Sequence, residues 1–128
     1  LDERTGIIKW KQTLNSNLRP TYADGLVFTV TLEGYLVVID SRNGNIVRMT
    51  NIFEQIKKYK KNNIKPEGFI VTKDEIYLSL NNGKLIVIDI TTGRSKNILK
   101  IDNGKISRPY VLNNNMYIIR DNSIIKLN

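Results

Sequence analysis

The chain has 128 residues, of which 41% are hydrophobic, enough for one packed unit. It contains no cysteine and no histidine, which excludes disulfides, thiolate metal sites and histidine-based acid–base catalysis. No run of 18 apolar residues occurs, so no direct membrane span is predicted.

The first predicted element is a short strand over residues 7–13, which follows the turn Asp2-Glu-Arg-Thr-Gly6. In such a turn the Asp carboxylate accepts hydrogen bonds from amides two or three residues on, and the Gly takes a left-handed conformation without strain. The same spacing recurs at Asp40-Ser-Arg-Asn-Gly44 and Asp89-Ile-Thr-Thr-Gly93. We interpret the three turns as structural. As metal ligands or acid–base groups, these carboxylates would lie one per sheet, too far apart to cooperate.

A repeated block dominates the middle of the chain. The segment from Phe28 to Asp40 returns 49 residues later as Tyr77 to Asp89, and a fainter copy runs from Tyr117 to Asn128. The aligned positions include Gly34 with Gly83, Leu36 with Leu85, Val38 with Val87 and Asp40 with Asp89. A period of this length is typical of a repeat protein.

Each block predicts a hairpin of two strands. In the first block, strands at 26–32 and 35–39 meet at Glu33-Gly34, and in the second block Asn82-Gly83 predicts a type I′ turn. The apolar run that follows each turn is too short for a helix and suits a strand covered on both faces. We therefore expect Leu36, Val38, Leu85 and Val87 to be buried between sheets.

Two further strands complete each repeat. One follows the Asp-x-x-x-Gly turn, at 45–50 and at 94–101, and another is entered through Pro20, Pro66 or Pro109, since Pro suits a strand start. Four strands joined as a meander form the blade of a β-propeller. The prediction is an all-β propeller of four-stranded antiparallel blades, with the last strand of one blade at 7–13, blades at 18–51 and 66–101, and three strands of another at 106–127.

An insertion over residues 52–65 separates the two full blades. Ile52, Phe53, Ile56 and Tyr59 have helical spacing, which predicts a short helix near 52–61. The cluster Lys57, Lys58, Lys60 and Lys61 is a solvated helical face or, alternatively, a docking site for an acidic protein surface. Nucleic-acid binding is not predicted, because aromatic residues interleaved with arginines on an exposed sheet are not found.

The strand count is one plus eight plus three, which is twelve strands or three blades. Propellers usually close with at least four blades, so we expect residues 1–128 to form one partial propeller from a longer chain. The alternative is a homodimer in which the 7–13 strand of each copy completes the 106–127 blade of the other, giving a six-bladed ring with two-fold symmetry.

The segments Asp2-Glu-Arg-Thr-Gly-Ile-Ile-Lys-Trp10 and Gly83-Lys-Leu-Ile-Val-Ile-Asp-Ile-Thr-Thr-Gly93 resemble the repeat of pyrroloquinoline-quinone-like β-propellers, over essentially the whole chain. This family includes quinoprotein dehydrogenases, an outer-membrane β-barrel assembly scaffold lipoprotein and sensor domains. The resemblance implies that Trp10 docks against the neighbouring blade. Arg48 and Asn97 stand at the equivalent places, which predicts less regular contacts between the later blades.

Two functions follow from the resemblance. A dehydrogenase would hold pyrroloquinoline quinone and calcium beside an adjacent Cys pair, and this chain has no Cys. We therefore predict a noncatalytic scaffold without a cofactor, which binds a protein partner and is closest in character to the assembly lipoprotein. That resemblance implies a periplasmic or outer-membrane-associated location; the dehydrogenase is the alternative.

Overall fold

The computed structural model describes residues 6–56 and 64–127. The predicted turn residue Asp2 lies outside these ranges. So do the four lysines of the predicted docking cluster, Lys57, Lys58, Lys60 and Lys61, together with much of the predicted helix.

Three antiparallel sheets follow one another along the chain, and the predicted all-β propeller fold is confirmed. Blade 1 contains β1 (Thr21–Ala23), β2 (Leu26–Val30), β3 (Tyr35–Asp40) and β4 (Ile46–Asn51). Blade 2 contains β5 (Pro66–Val71), β6 (Glu75–Leu80), β7 (Lys84–Asp89) and β8 (Ser95–Lys100). Blade 3 contains β9 (Tyr110–Leu112), β10 (Asn115–Arg120) and β11 (Ser123–Leu127). In each sheet the strands pair in chain order, as a meander requires.

Two predicted elements need correction. Residues 6–14 form no strand, because a strand needs a hydrogen-bonded neighbour and no described strand pairs with this segment. Side chains of the segment instead contact blade 1. In the insertion, the described part of the helix is a single 3₁₀ turn at Phe53–Gln55.

The hairpin turns also differ from the prediction. A type I′ turn needs positive φ at both central residues, and of the pair Asn82-Gly83 only Gly83 has it, at 81°. The Gly83 amide donates to the Leu80 carbonyl, so the turn spans residues 80–83 and ends at the glycine. Positive φ at two adjacent residues occurs instead at Asp24-Gly25, between β1 and β2, and at Asn113-Asn114, between β9 and β10. The sequence signal was misleading here because several turn types accept an Asn-Gly pair.

The core lies between the blades. Blade 1 and blade 2 share a large apolar cluster, and a smaller cluster around Leu85, Ile106 and Ile118 lies between blades 2 and 3. The predicted core residues Leu36, Val38, Leu85 and Val87 are all buried. A sheet covered on both faces explains why β3 and β7 are nearly continuous apolar runs. None of the helical segments in the described ranges has the length and apolar character to cross a membrane.

Candidate functional site between the blades

The repeated Asp residues are built into the turns that follow β3 and β7. Asp40 Oδ1 accepts from the Arg42 amide at 2.9 Å, and Asp89 Oδ1 accepts from the amides of Thr91 and Thr92 at 2.8 and 3.0 Å. Each turn closes when the amide of its Gly, Gly44 or Gly93, donates to the Asp carbonyl at 2.8 Å. Gly6, Gly44 and Gly93 have φ of 70°, 77° and 75°, the left-handed conformation predicted for them.

The turn contacts also stabilise the charged forms of both carboxylates. The pKa of Asp40 lies below its usual value mainly because the Arg42 side chain and amide donate to it. The pKa of Asp89 is lowered mainly by the amides of Thr92 and Thr91. These are the properties of structural turn residues, since the acceptor oxygens face their own backbone.

The turn after β3 is also contacted by Trp10, from the segment that precedes blade 1. Trp10 packs its ring on Gly44, where an added Cβ would come within 2.6 Å of the ring, and donates its Nε1 hydrogen to the Ser41 carbonyl at 2.8 Å. The predicted docking of Trp10 on the neighbouring blade is therefore present. Gln12 adds a second bond, from its side-chain amide to the Gly44 carbonyl at 2.9 Å.

Arg48 repeats this docking one blade later. It stands four residues after Gly44, as Trp10 stands four after Gly6. Its guanidinium donates to the carbonyls of Ile90, at 2.6 Å, and Thr91. Ile90 follows Asp89 as Ser41 follows Asp40, so Arg and Trp donate to equivalent carbonyls. The expectation of a less regular contact at position 48 is therefore wrong. Trp10 and Arg48 each extend a planar N–H donor to the turn of the next blade.

The hairpin glycines Gly34 and Gly83 contact the segments that follow β4 and β8. The Gly34 carbonyl accepts from the Ile52 amide at 2.8 Å, and the Gly83 carbonyl from the Ile101 amide at 2.9 Å. An added Cβ would collide with the Phe53 ring at Gly34 and with the Asp102 carbonyl at Gly83. These motif residues are therefore structural as well.

β-Bulges in β4 and β8 direct extra side chains into the spaces between blades. Val38 pairs with Arg48 and Ile39 pairs with Ile46, which leaves Val47 as the extra residue of β4. Lys96 has the same position in β8. Because a bulge changes the direction of the side chains around it, Val47 and Arg48 both line the space between blades 1 and 2.

The space between blades 1 and 2, which we call the apolar cleft, has a volume of about 620 Å³. Side chains of Leu26, Phe28, Val38 and Val47 line the blade 1 side, and Val71 and Ile90 the blade 2 side. Asp24, Thr72 and Lys73 also line the cleft. Val47 is 55% exposed, so part of this apolar surface is open to solvent.

The equivalent space between blades 2 and 3, which we call the second cleft, has a volume of about 440 Å³ and is also lined in part by apolar side chains, including Leu85 and Met116. Repeat alignment places Glu75, Tyr77 and Lys96 where the apolar cleft has Leu26, Phe28 and Val47. Lys96 pairs with Glu75 at 2.8 Å, and the Tyr77 hydroxyl donates to Glu75 at 2.7 Å. Burial and this bond raise the pKa of Tyr77 to about 12, while Lys96 and Tyr77 lower the pKa of Glu75. The polar groups of this cleft therefore satisfy one another.

The clefts were not predicted from the sequence. Two features identify them: the replacement of Leu26, Phe28 and Val47 by Glu75, Tyr77 and Lys96 in the next repeat, and the β-bulge in β4 and β8. Neither the bulge nor the packing of neighbouring blades can be recognised within one hairpin.

The acidic side chains of the described residues are not grouped as the ligands of a metal ion would be. Within 6–56 and 64–127, no three acidic side chains lie together in an arrangement that would hold an ion. Asp40 and Asp89 belong to separate blades and use their oxygens in their own turns.

Comparison with known proteins identifies the family. A family model described as the outer membrane protein assembly factor BamB matches residues 1–128. The chain belongs to this family of pyrroloquinoline-quinone-like β-propellers. No curated protein sequence matches the chain.

Solved structures support the propeller fold. BamB from Moraxella catarrhalis superposes with a TM-score of 0.68 at 14% identity, over 88% of this chain and 31% of that one. Sqt1 from Saccharomyces cerevisiae gives 0.65 at 17% identity, over 81% and 28%. The quinohemoprotein alcohol dehydrogenase ADHIIG from Pseudomonas putida HK5 gives 0.60 at 19% identity, over 85% and 17%. At these identities the likeness shows the fold alone, and this chain spans less than a third of each of these structures.

Proposed function

We propose that this protein is a noncatalytic, protein-binding scaffold that acts in outer-membrane protein assembly, in the periplasm or at the outer membrane. The matching family model is described as the outer membrane protein assembly factor BamB, and this description supports both a role in assembly and a location at or near the outer membrane. The apolar cleft is the observation that carries the binding role. It is a partly exposed apolar surface bordered by polar residues, the arrangement typical of a protein-interaction site.

The two clefts differ in the side chains at three aligned positions of the repeat, and this difference supports partner binding at the apolar cleft. Blade 2 shows that this position of the repeat accommodates an internally satisfied set of Glu, Tyr and Lys side chains. Blade 1 has aliphatic and aromatic side chains there, and Val47 remains largely exposed. Covering this exposed apolar surface with a partner removes it from water, which favours binding.

The test is carried out in the bacterium that produces the protein. Val47→Lys introduces into the apolar cleft the residue type that blade 2 has at the same position. We expect this variant, but not the exposed control Ile8→Lys, to lower the amounts of β-barrel proteins in the outer membrane at unchanged levels of the scaffold. Normal β-barrel levels after complete deletion of the gene would contradict the proposed function.

For the lysine cluster at 57–61, a solvated helical face and, as the alternative, a docking site for an acidic protein surface both stay predictions. The absence of nucleic-acid binding also stays a prediction. The dehydrogenase alternative is tested by calorimetric titration with calcium and pyrroloquinoline quinone. Micromolar binding of both would favour the enzyme over the scaffold.

The homodimer with exchanged terminal strands also stays a proposal. Ile119 and Ile124 of blade 3 are 44% and 74% exposed, whereas Ser79 and Leu85, their equivalents in blade 2, are fully buried by the neighbouring blade. Blade 1 of a second copy would cover this surface. Light scattering coupled to gel filtration measures the mass directly, and a monodisperse monomer at every concentration rules the dimer out.

A further inference from the structure

The outer strand of blade 1 has an uncovered hydrogen-bonding edge. β4 pairs with β3 along one side, and no strand in the described ranges pairs with its other side. The Ile52 amide donates to the Gly34 carbonyl. Hydrogen-bonded pairs alternate along an antiparallel ladder, so the amides of Thr50 and Arg48 point toward β3. The amide of Met49, between them, points toward the uncovered edge.

Two amides on the corresponding edge of blade 2 already have hydrogen-bond acceptors. Ile98 is the equivalent of Met49, and its amide donates to Oδ1 of the preceding Asn97 at 2.9 Å. The Ser95 amide at the start of β8 donates to Gln55 Oε1 at 2.7 Å. β8 also contains Lys96 and Lys100, and lysine on an edge strand disfavours pairing with another chain.

Blade 1 lacks each of these protections. Arg48 occupies the place of Asn97, and a guanidinium has no acceptor atom for the next amide of the strand. The Met49 amide consequently has no hydrogen-bond partner among the described residues. The strand also exposes apolar side chains, with Ile46, Val47 and Met49 at 39%, 55% and 50%.

The edge and the apolar cleft are continuous, because Val47 belongs to both. A ligand that uses both must offer backbone carbonyls at strand spacing together with apolar side chains on alternate residues. An extended polypeptide has this chemistry, whereas a lipid or a small apolar molecule fills the cleft without pairing with the edge.

We propose that an extended segment of a partner protein adds as a strand to the edge of β4 and places a large aliphatic or aromatic side chain in the apolar cleft. This inference rests on the proposed protein-binding function and specifies its surface and its mode. The Met49 amide donates to a carbonyl of the added strand, and the partner segment has apolar residues at every second position.

The test uses random decapeptides displayed on phage and selected against the folded protein. The selected peptides are then synthesised, labelled and titrated by fluorescence anisotropy. Met49→Pro removes the edge amide without touching a bond to β3, since proline is tolerated at an edge position whose N–H faces outward. Met49→Ala is the matched control that keeps the amide, and Lys100→Pro places the same residue type on the edge of β8.

We expect selected sequences with alternating apolar residues whose affinity falls at least about tenfold, equivalent to about 1.4 kcal/mol, with Met49→Pro. The two controls should bind about as tightly as the parent. Val47→Lys should also weaken binding and is the second variant if thermal scans show that Met49→Pro does not fold.

Failure to select any peptide, or equal binding by the parent, Met49→Pro and Val47→Lys, overturns the inference. These outcomes leave the proposed function standing if deletion of the gene still depletes outer-membrane β-barrel proteins. Normal β-barrel levels in the deletion strain overturn the proposed function whatever the peptides do.

Discussion

Replacing Arg48 with Met tests how the blades are joined. The guanidinium donates from blade 1 to the carbonyls of Ile90 and Thr91 in blade 2. Met keeps an unbranched apolar side chain that can cover the same surface, so the substitution removes mainly the two hydrogen bonds.

The expected loss follows from those two bonds. A bond from a charged donor contributes roughly 1.5–3 kcal/mol when it is buried, and partial exposure of Arg48 reduces this to about 1 kcal/mol per bond. The free energy of unfolding should therefore fall by about 2 kcal/mol. For a unit of this size each kcal/mol corresponds to roughly 3–5 °C in melting temperature, so the decrease should be about 6–10 °C.

Thermal and urea unfolding followed by circular dichroism measure this change. Arg42→Met is the control, because the Arg42 side chain is 86% exposed in its ion pair with Asp40. Its melting temperature should remain close to that of the parent protein. If Arg48→Met and Arg42→Met have the same melting temperature, Arg48 does not join the blades.

Three further changes test the rest of the structure. Val38→Asp places an unpaired carboxylate at a position that is 2% exposed, so unfolding should occur in much lower urea; a melting temperature within about two degrees of the parent would show that β3 is not a core strand. Asp89→Asn retains one acceptor oxygen and should lower the melting temperature slightly; micromolar calcium binding that disappears in this variant would assign a metal role to the turn. Tyr77 has its pKa raised to about 12, so its stabilising contribution is complete below the unfolded-state pKa of about 10 and is lost as pH rises toward 12. Tyr77→Phe should remove this alkaline loss in pH-dependent urea titrations, and an unchanged profile would contradict the assignment.

Elements that depend on nearby residues were predictable. The Asp-x-x-x-Gly turns form because Asp40 and Asp89 bond to amides two and three residues away. The blade strands follow from alternating and continuous apolar runs and from the prolines that precede them. The same local signals failed at Asn82-Gly83, where the choice between turn types depends on how β6 and β7 pair.

Contacts between distant segments were not predictable in the same way. Arg48 lies 42 residues from Ile90 in the chain, and its sequence position showed only a departure from Trp. The docking appears once blade 2 brings its carbonyls next to the guanidinium. The segment 7–13 has a strand-like composition but belongs to none of the three described sheets.

The sequence by itself determined the repeat, the strand order within each blade and the residues buried between sheets, because these depend on local turns and on the period of apolar residues. Tertiary structure decided which surfaces stay open. The apolar cleft exists because a bulge turns Val47 toward blade 2, and the Met49 amide is uncovered because no described strand pairs with the outer edge of β4. Both features depend on how two complete sheets pack, which no single repeat specifies.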